Sequence, residues 1–289
     1  MNHDLITAEF WLNYLPEQYA DYLSFSIIDL GRHPSAFLTY KDKIRFIKQV
    51  PEHVQQKEYA VLSWLEQLQS KTETLTSERL EKAQPPLELQ LPQPEFIHSR
   101  TDLLVTSKLD GFHLTKLSLL EQLPLVCKVL VYIHRLIEVT NLPNVIVQSL
   151  NYELPCDIND VAPAYKNVFQ QAKDNIKNNV AILSFIHGDL SCGNILASDL
   201  TIGLVDWEYA TVRDGRWDLA TLAVEFELNA KEFSGLCEVY LKQRDLQENS
   251  FTSVAQSWSV IYALTCLSWA QKNNQETNRY IRFLQNLEY

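Results

Sequence analysis

The chain has 289 residues, 46% of them hydrophobic and 21% charged, with a formal net charge of -11. That length and apolar content allow one large two-lobed body or two small domains, and they exclude a disordered chain. The charge opposes binding to nucleic acid or an anionic membrane unless a local basic run defeats it, and the sequence contains no such run.

The cysteines, at positions 127, 156, 192, 237 and 266, form no CxxC or Cys/His ligand spacing, and their odd count fits reduced thiols. The opening stretch "MNHDLITAEFWLNYLPEQY" carries acids and lacks a basic start followed by an apolar run, so a cytoplasmic location is expected. In chain order, residues 25–50 show apolar, β-branched runs broken by "GRHP" and "KDK", which predict two or three short antiparallel strands. Across 53–69, Val54, Tyr59, Val61, Leu62, Leu65 and Leu68 fall mainly at helical spacing and predict an amphipathic helix. The polar, proline-rich stretch 70–94 predicts a surface excursion, after which "EFIHS" and "LLVTSKL" resume as strands.

Beyond Asp110 and Gly111 the pattern is helical almost throughout, starting with "LSLLEQLPLVCKVLVYIHRLIEV" and interrupted by strands at 182–206. His134 in that first run lies on a mostly apolar face and reads as a core histidine with its polar atoms satisfied. Residues 249–271 carry no charged side chain, but the firmly apolar part, "WSVIYALTCLSWA", is shorter than the roughly 20 residues a spanning helix needs, so a buried helix is expected without membrane insertion. The order predicts an α+β fold. A small antiparallel-sheet lobe with one helix, residues 1–110, meets a larger and mainly helical lobe, residues 111–289, through a hinge at 103–111. A cleft between such lobes suits a small-molecule site.

"FIHGDLSCGNIL" and "LVDWEYA" then place His187, Asp189, Asn194 and Asp206 close in sequence, after the strand-like runs "AILSF" and "TIGLV", as on a hairpin-like scaffold. Two carboxylates and an amide oxygen converging with room for water suit Mg²⁺, whose shell substrate phosphates can complete. Phosphoryl transfer requires positioning, charge neutralisation and a carboxylate that accepts the proton of the attacking hydroxyl.

The order His-x-Asp-x4-Asn followed by "VDWE" resembles the aminoglycoside phosphotransferase and choline kinase superfamily, small-molecule relatives of the protein kinases, over roughly residues 25–275 and most strongly at 185–220. The resemblance implies a protein-kinase-like fold with ATP and Mg²⁺ as cofactors. It implies Asp189 as catalytic base, Asn194 and Asp206 as metal ligands, and His187 as a support of the loop. It further implies that Lys48 meets ATP phosphates while paired with Glu58, and that Thr106, Lys108 and Leu109 present hinge backbone to adenine, with Gly111 permitting the turn. Asp218, in "RWDLATLAVEF", would cap the next helix and brace the loop. The family's phosphate-covering turn is usually glycine-rich. Here "DLGRHPSAF" has Gly31 alone, Pro34 lacks an N–H, and Ser35 is the candidate phosphate contact.

Trp258, Tyr262 and Trp269 share one helical face, and Tyr209 and Trp217 flank the second acidic turn. Such rings would recognise an ammonium group, or would equally serve as ordinary core, while Glu208 and Asp214 could add charge for a cationic substrate. "LVDWEYA" followed by "RDGRWDLATLAVEF" looks closer to bacterial choline/ethanolamine kinases and thiamine kinases than to the antibiotic-modifying branch. The expected function is ATP-dependent phosphorylation of a small cationic alcohol of choline, ethanolamine or thiamine type. An aminoglycoside-type antibiotic phosphotransferase and a catalytically silent kinase-like binding protein are the alternatives.

Overall fold

β-branched and aromatic residues alternate through the first strands, β1 (Ser24–Ile28), β2 (Ser35–Tyr40) and β3 (Lys43–Gln49), which pair antiparallel in sequence order. The β2–β3 hairpin turns on Lys41 and Asp42, whose φ values of 44° and 63° match the right-handed twist of the flanking strands. The computed structural model describes residues 11, 13–19, 22, 24–28, 33–70, 86–98, 102–148, 155, 157, 159 and 161–286. Gly31, and most of the excursion expected at 70–94, lie outside the described residues.

Helix α1 (Glu52–Ser70) buries Gln55, Glu58, Val61, Leu62 and Leu65. Three strands follow: β4 (Leu89–Gln90), β5 (Pro94–His98) and β6 (Leu103–Ser107). The first sheet has the order β1-β2-β3-β6-β5 with every pairing antiparallel. Pro94 opens the outer strand β5, where a missing N–H is tolerated. β3, which carries Lys48, lies inside the sheet, flanked by β2 and β6.

Beyond β6 the chain makes β7 (Phe112–His113), α2 (Lys116–Glu121) and α3 (Leu123–Val139). The run expected to be helical is divided at Gln122, where Pro124 in the first turn of α3 removes a donor that a continuous helix would need. Helices α4 (Asn144–Gln148) and α5 (Lys166–Lys177) lead to β8 (Leu183–Ile186), β9 (Ile195–Ala197), β10 (Ile202–Leu204) and β11 (Thr211–Asp214). Four helices complete the described chain: α6 (Arg216–Glu225), α7 (Ala230–Arg244), α8 (Phe251–Lys272) and α9 (Asn278–Gln285).

The strand-rich interruption is longer and more divided than expected. β9 and β10 form a hairpin inside a second sheet of order β4-β10-β9-β7, whereas β8 pairs with β11. β4 precedes the expected hinge in sequence yet pairs in parallel with β10. Gly111 has φ 138°, and a Cβ there would lie 2.8 Å from the Ala197 carbonyl oxygen, so this close approach of β7 to β9 requires glycine.

The uncharged stretch 249–271 is α8, whose Phe251, Val254, Trp258, Ile261, Leu264 and Leu267 are buried. No helix among the described residues is long and apolar enough to cross a membrane. Between the first sheet and the helical region, an aromatic column runs from Trp64 on α1 to Phe185 on β8, at 5.1 Å between ring centroids, and on to Trp207, which Phe185 stacks on at 6.1 Å.

Candidate active site

The site begins where β8 ends. His187, Gly188 and Asp189 turn out of the strand with Gly188 at φ 88°, and a Cβ there would come within 2.5 Å of the Tyr209 carbonyl oxygen. The left-handed backbone and the close approach both require glycine. Asp218 holds this turn: its carboxylate accepts the His187 and Gly188 backbone N–H groups, each at 2.9 Å. It does not cap α6 as expected. The N-cap is Gly215, and Asp218 sits in the first turn with its carboxylate aimed at the loop.

Behind Asp218 stands a buried relay. His134 Nε2 lies 3.1 Å from Asp218 Oδ2, its Nδ1 lies 2.7 Å from the Tyr240 hydroxyl, and Arg244 donates to that hydroxyl at 2.6 Å. Burial lowers the His134 pKa, so the neutral ring donates to Asp218 and accepts from Tyr240. His134 is thus the satisfied core histidine expected, with a structural line to the loop. His187 is also buried; its Nε2–H donates to Val205 O at 3.0 Å and its ring packs 4.5 Å from Trp207.

Asn194 ends the loop just before β9, and Asp206 follows β10, so both stand at the open end of the β9–β10 hairpin; Asp189 comes from the neighbouring two-stranded sheet. Asn194 donates its amide N–H groups to Asp189 O at 2.9 Å and Oδ2 at 3.0 Å. Asp206 has φ 65°. From β3, Lys48 Nζ reaches Glu58 Oε2 at 2.5 Å and Asp206 Oδ1 at 2.6 Å. Burial opposes the charge of the Lys48 ammonium, but the two carboxylates outweigh it and hold its pKa above the ordinary lysine range. Asp189 moves the other way: burial, then the charges of Asp206, Glu225 and Glu208, raise it to about 7.

These side chains fit a divalent cation. Turning the Asn194 NH₂ toward Asp189 leaves its amide oxygen for a cation, and the clustered carboxylates hold an excess of negative charge that a cation would relieve. Among the described residues no group of three or more His, Cys, Asp or Glu side chains is arranged to hold a metal ion.

On the nucleotide side, Ser35 is buried at the start of β2 and its hydroxyl donates to His33 O at 3.0 Å. Thr106 is buried within β6, opposite Phe46. The Lys108 backbone N–H donates to Ile44 O at 3.1 Å and its ammonium meets Asp110 at 3.0 Å, while the Leu109 side chain packs over Gly203. Glu208, expected to charge the acceptor pocket, instead turns to His33 at 3.6 Å. Burial opposes its charge, but His33 and Lys48 hold its carboxyl below the usual range.

On the acceptor side, Trp217 donates its indole N–H to Gly188 O at 3.0 Å and meets Trp258 and Tyr262 edge-on at 5.6 and 5.5 Å. Tyr209 and Trp269 are 46% and 43% exposed, so the expected stripe divides into a buried cluster and two surface rings. Asp214 is not available to a cation. It is 3% exposed and held by Arg216 through Nε at 2.9 Å and Nη2 at 2.7 Å.

The charge that does reach Asp189 from this side is Glu225, which the sequence reading missed. Its side chain is 5% exposed, its Oε1 accepts from Tyr262 at 3.1 Å and Tyr280 at 3.5 Å, and its Oε2 pairs with Arg279. A lone acid closing the apolar run "LATLAVE" was the available signal.

Comparison with known proteins bears on the family and the fold. Residues 27–248 match the model of the phosphotransferase enzyme family. No curated protein matches the chain by sequence. A choline/ethanolamine kinase family protein from Mesorhizobium loti is 16% identical, superposes with a TM-score of 0.69, and the match covers 96% of this chain and 92% of that one. A type I macrolide 2'-phosphotransferase is 14% identical with a TM-score of 0.67 and 99% of both chains covered. The choline kinase LicA from Streptococcus pneumoniae is 15% identical with a TM-score of 0.65, covering 92% of this chain and 93% of its own. LicA has also been solved in complex with AMP. The fold is therefore protein-kinase-like, with an antiparallel-sheet lobe and a mainly helical one.

Proposed function

The chain belongs to the phosphotransferase enzyme family, and from that premise we propose that it moves the terminal phosphoryl group of ATP to the hydroxyl of a small cationic alcohol of the choline, ethanolamine or thiamine type. The observation that carries the reading is Asp189, raised to about 7 and lying within electrostatic reach of Glu225 and of Tyr262 in the aromatic cluster. A base with a pKa near neutrality is half-ionised at working pH and still basic enough to take a proton. Beside it, rings and a buried carboxylate offer a seat for an ammonium group.

In this reading the acceptor hydroxyl lies against Asp189. Its oxygen forms a bond to the γ-phosphorus as the bond to the bridging oxygen breaks, its proton passes to the Asp189 carboxylate, and ADP leaves with the bridging electron pair. Lys48, held by Glu58, would face the phosphates. Mg²⁺ held by Asn194 and Asp206 would neutralise phosphate charge. Asp218 and His187 keep the loop in register, and the lobes meet at the segment 103–111.

The test is phosphate transfer from labelled ATP to a panel of choline, ethanolamine, thiamine, a macrolide and an aminoglycoside. Transfer to one of the first three is expected, reduced at least about 100-fold by Asp189→Ala. Transfer to the antibiotics alone would make the chain an antibiotic kinase, and a fully active Asp189→Ala would remove the mechanism.

A further inference from the structure

We infer that Arg279 sets the acceptor selectivity of this site, because its guanidinium already fills the seat beside Glu225 that the cation of an acceptor alcohol would take. The inference rests on the cationic-alcohol reading above. Glu225 ends α6 with its side chain 5% exposed, within electrostatic range of Asp189. All the donors that satisfy it come from the chain itself: the Tyr262 hydroxyl on α8, the Tyr280 hydroxyl on α9, and the Arg279 guanidinium on α9. Burial raises the Glu225 carboxyl and favours its neutral form, while the Arg279 guanidinium favours its charge, so the protein itself supplies the cation that this carboxylate would pair with.

Side chains link the Glu225–Arg279 pair to the loop that carries Asp189: Tyr262, which donates to Glu225, meets the Trp217 ring at 5.5 Å, and Trp217 donates to Gly188 O at 3.0 Å. At 38% exposed, the Arg279 side chain retains a path to solvent by which it can swing aside. The first turn of α9 that carries it has no side-chain cap at Thr277. A second pair, Arg282 with Glu227 at 2.9 Å, holds α9 to the end of α6 from outside the pocket, with both side chains about half exposed. The helix can therefore remain docked while Arg279 yields.

The consequence is a competition. A cationic alcohol gains the charge of Glu225 only by displacing Arg279, so its apparent affinity is reduced by the fraction of sites in which the guanidinium is in place. A neutral alcohol gains nothing from the displacement. Removing the guanidinium should strengthen binding of cationic alcohols and leave the nucleotide side unaffected.

The experiment compares wild type, Arg279→Gln and Arg282→Gln in steady-state transfer to choline and ethanolamine, with calorimetric titration of each alcohol. Arg279→Gln should lower KM for the cationic alcohols about tenfold, a difference of ~1.4 kcal/mol. KM for ATP should stay within about twofold, and Arg282→Gln should match wild type, since it loosens α9 without uncovering Glu225. Unchanged or raised KM in Arg279→Gln overturns the inference alone, as does an equal fall in Arg282→Gln. Absence of transfer to every cationic alcohol in both wild type and Arg279→Gln overturns the acceptor reading and the inference with it. Should Arg279→Gln fail to fold, Arg279→Lys keeps a cation on Glu225 and must hold KM within about twofold of wild type, so a tenfold change there also overturns the inference.

Discussion

At Asp189, burial and the charges of Asp206, Glu225 and Glu208 all oppose ionisation in the folded chain, and they raise the carboxyl to about 7. An unfolded aspartate titrates near 4 (~3.9). Below pH 4 both states hold the proton and the group is neutral to stability. Between about 4 and 7 the unfolded chain loses it while the folded chain keeps it, so stability falls as pH rises, and above 7 the full penalty remains. Asp189→Asn abolishes this titration. Its melting temperature should rise relative to wild type as pH goes from 5 to 8, reaching about 1–2 kcal/mol of added stability, less than the whole shift implies because the carboxylate stays partly open to solvent. A difference that does not change with pH would show that the folded carboxyl titrates like an ordinary one.

Among the elements, the loop that carries Asp189 is fixed less by its own sequence than by what lies behind it. Tyr240 on α7 donates to His134 on α3, which donates to Asp218 on α6, whose carboxylate holds two loop N–H groups. Tyr240→Phe keeps the ring but leaves Arg244 Nη1 with one acceptor fewer and His134 Nδ1 without its donor. The expected loss is about 1–3 kcal/mol by chemical denaturation, with kcat reduced and both KM values nearly unchanged, because the loop is displaced and the binding surfaces are not. Equal falls in binding of ATP and acceptor would point instead to a general loosening. Little of this relay was legible in the sequence: His134 and Asp218 stood out, but Tyr240 and Arg244 did not. Apolar periodicity located β3, α1, β6 and α8, since each is a local pattern, whereas the pairing of Lys48 with Glu58 was expected from the family resemblance and not from spacing. Pairing of β8 with β11, pairing of β4 with β10, and the direction of the Asp218 carboxylate depend on residues far apart in the chain, which local spacing does not encode. Glu208 went astray for the same reason, since its partner His33 lies far away in the chain, whereas Asp214 pairs with Arg216 only two residues on, and it was the burial of that pair that local spacing did not encode.

Across the whole molecule, the sheet lobe and the helical lobe are joined at the site by opposite charges. Lys48 on β3 reaches Asp206 beyond β10, and His33 ahead of β2 faces Glu208. In the chain as it stands, the lysine and aspartate that nucleotide and metal would engage are engaged with each other. Ligand binding must therefore exchange one set of ion pairs for another, and its net stabilisation is the surplus. At a ligand concentration of 100 times Kd that surplus appears as about 2.7 kcal/mol of added stability. Mg·ATP should thus raise the melting temperature, and ATP with excess chelator should raise it much less, since the polyanion then meets Asp189, Asp206 and Glu208 without a cation between them. Asp206→Asn separates the two contributions: it relieves repulsion toward phosphate while removing a metal ligand, so the shift should become smaller and nearly independent of Mg²⁺. A shift in Asp206→Asn that still depends on Mg²⁺ as in wild type would move the metal to other ligands, and no shift with any nucleotide in wild type would favour a silent binding protein on a kinase-like fold.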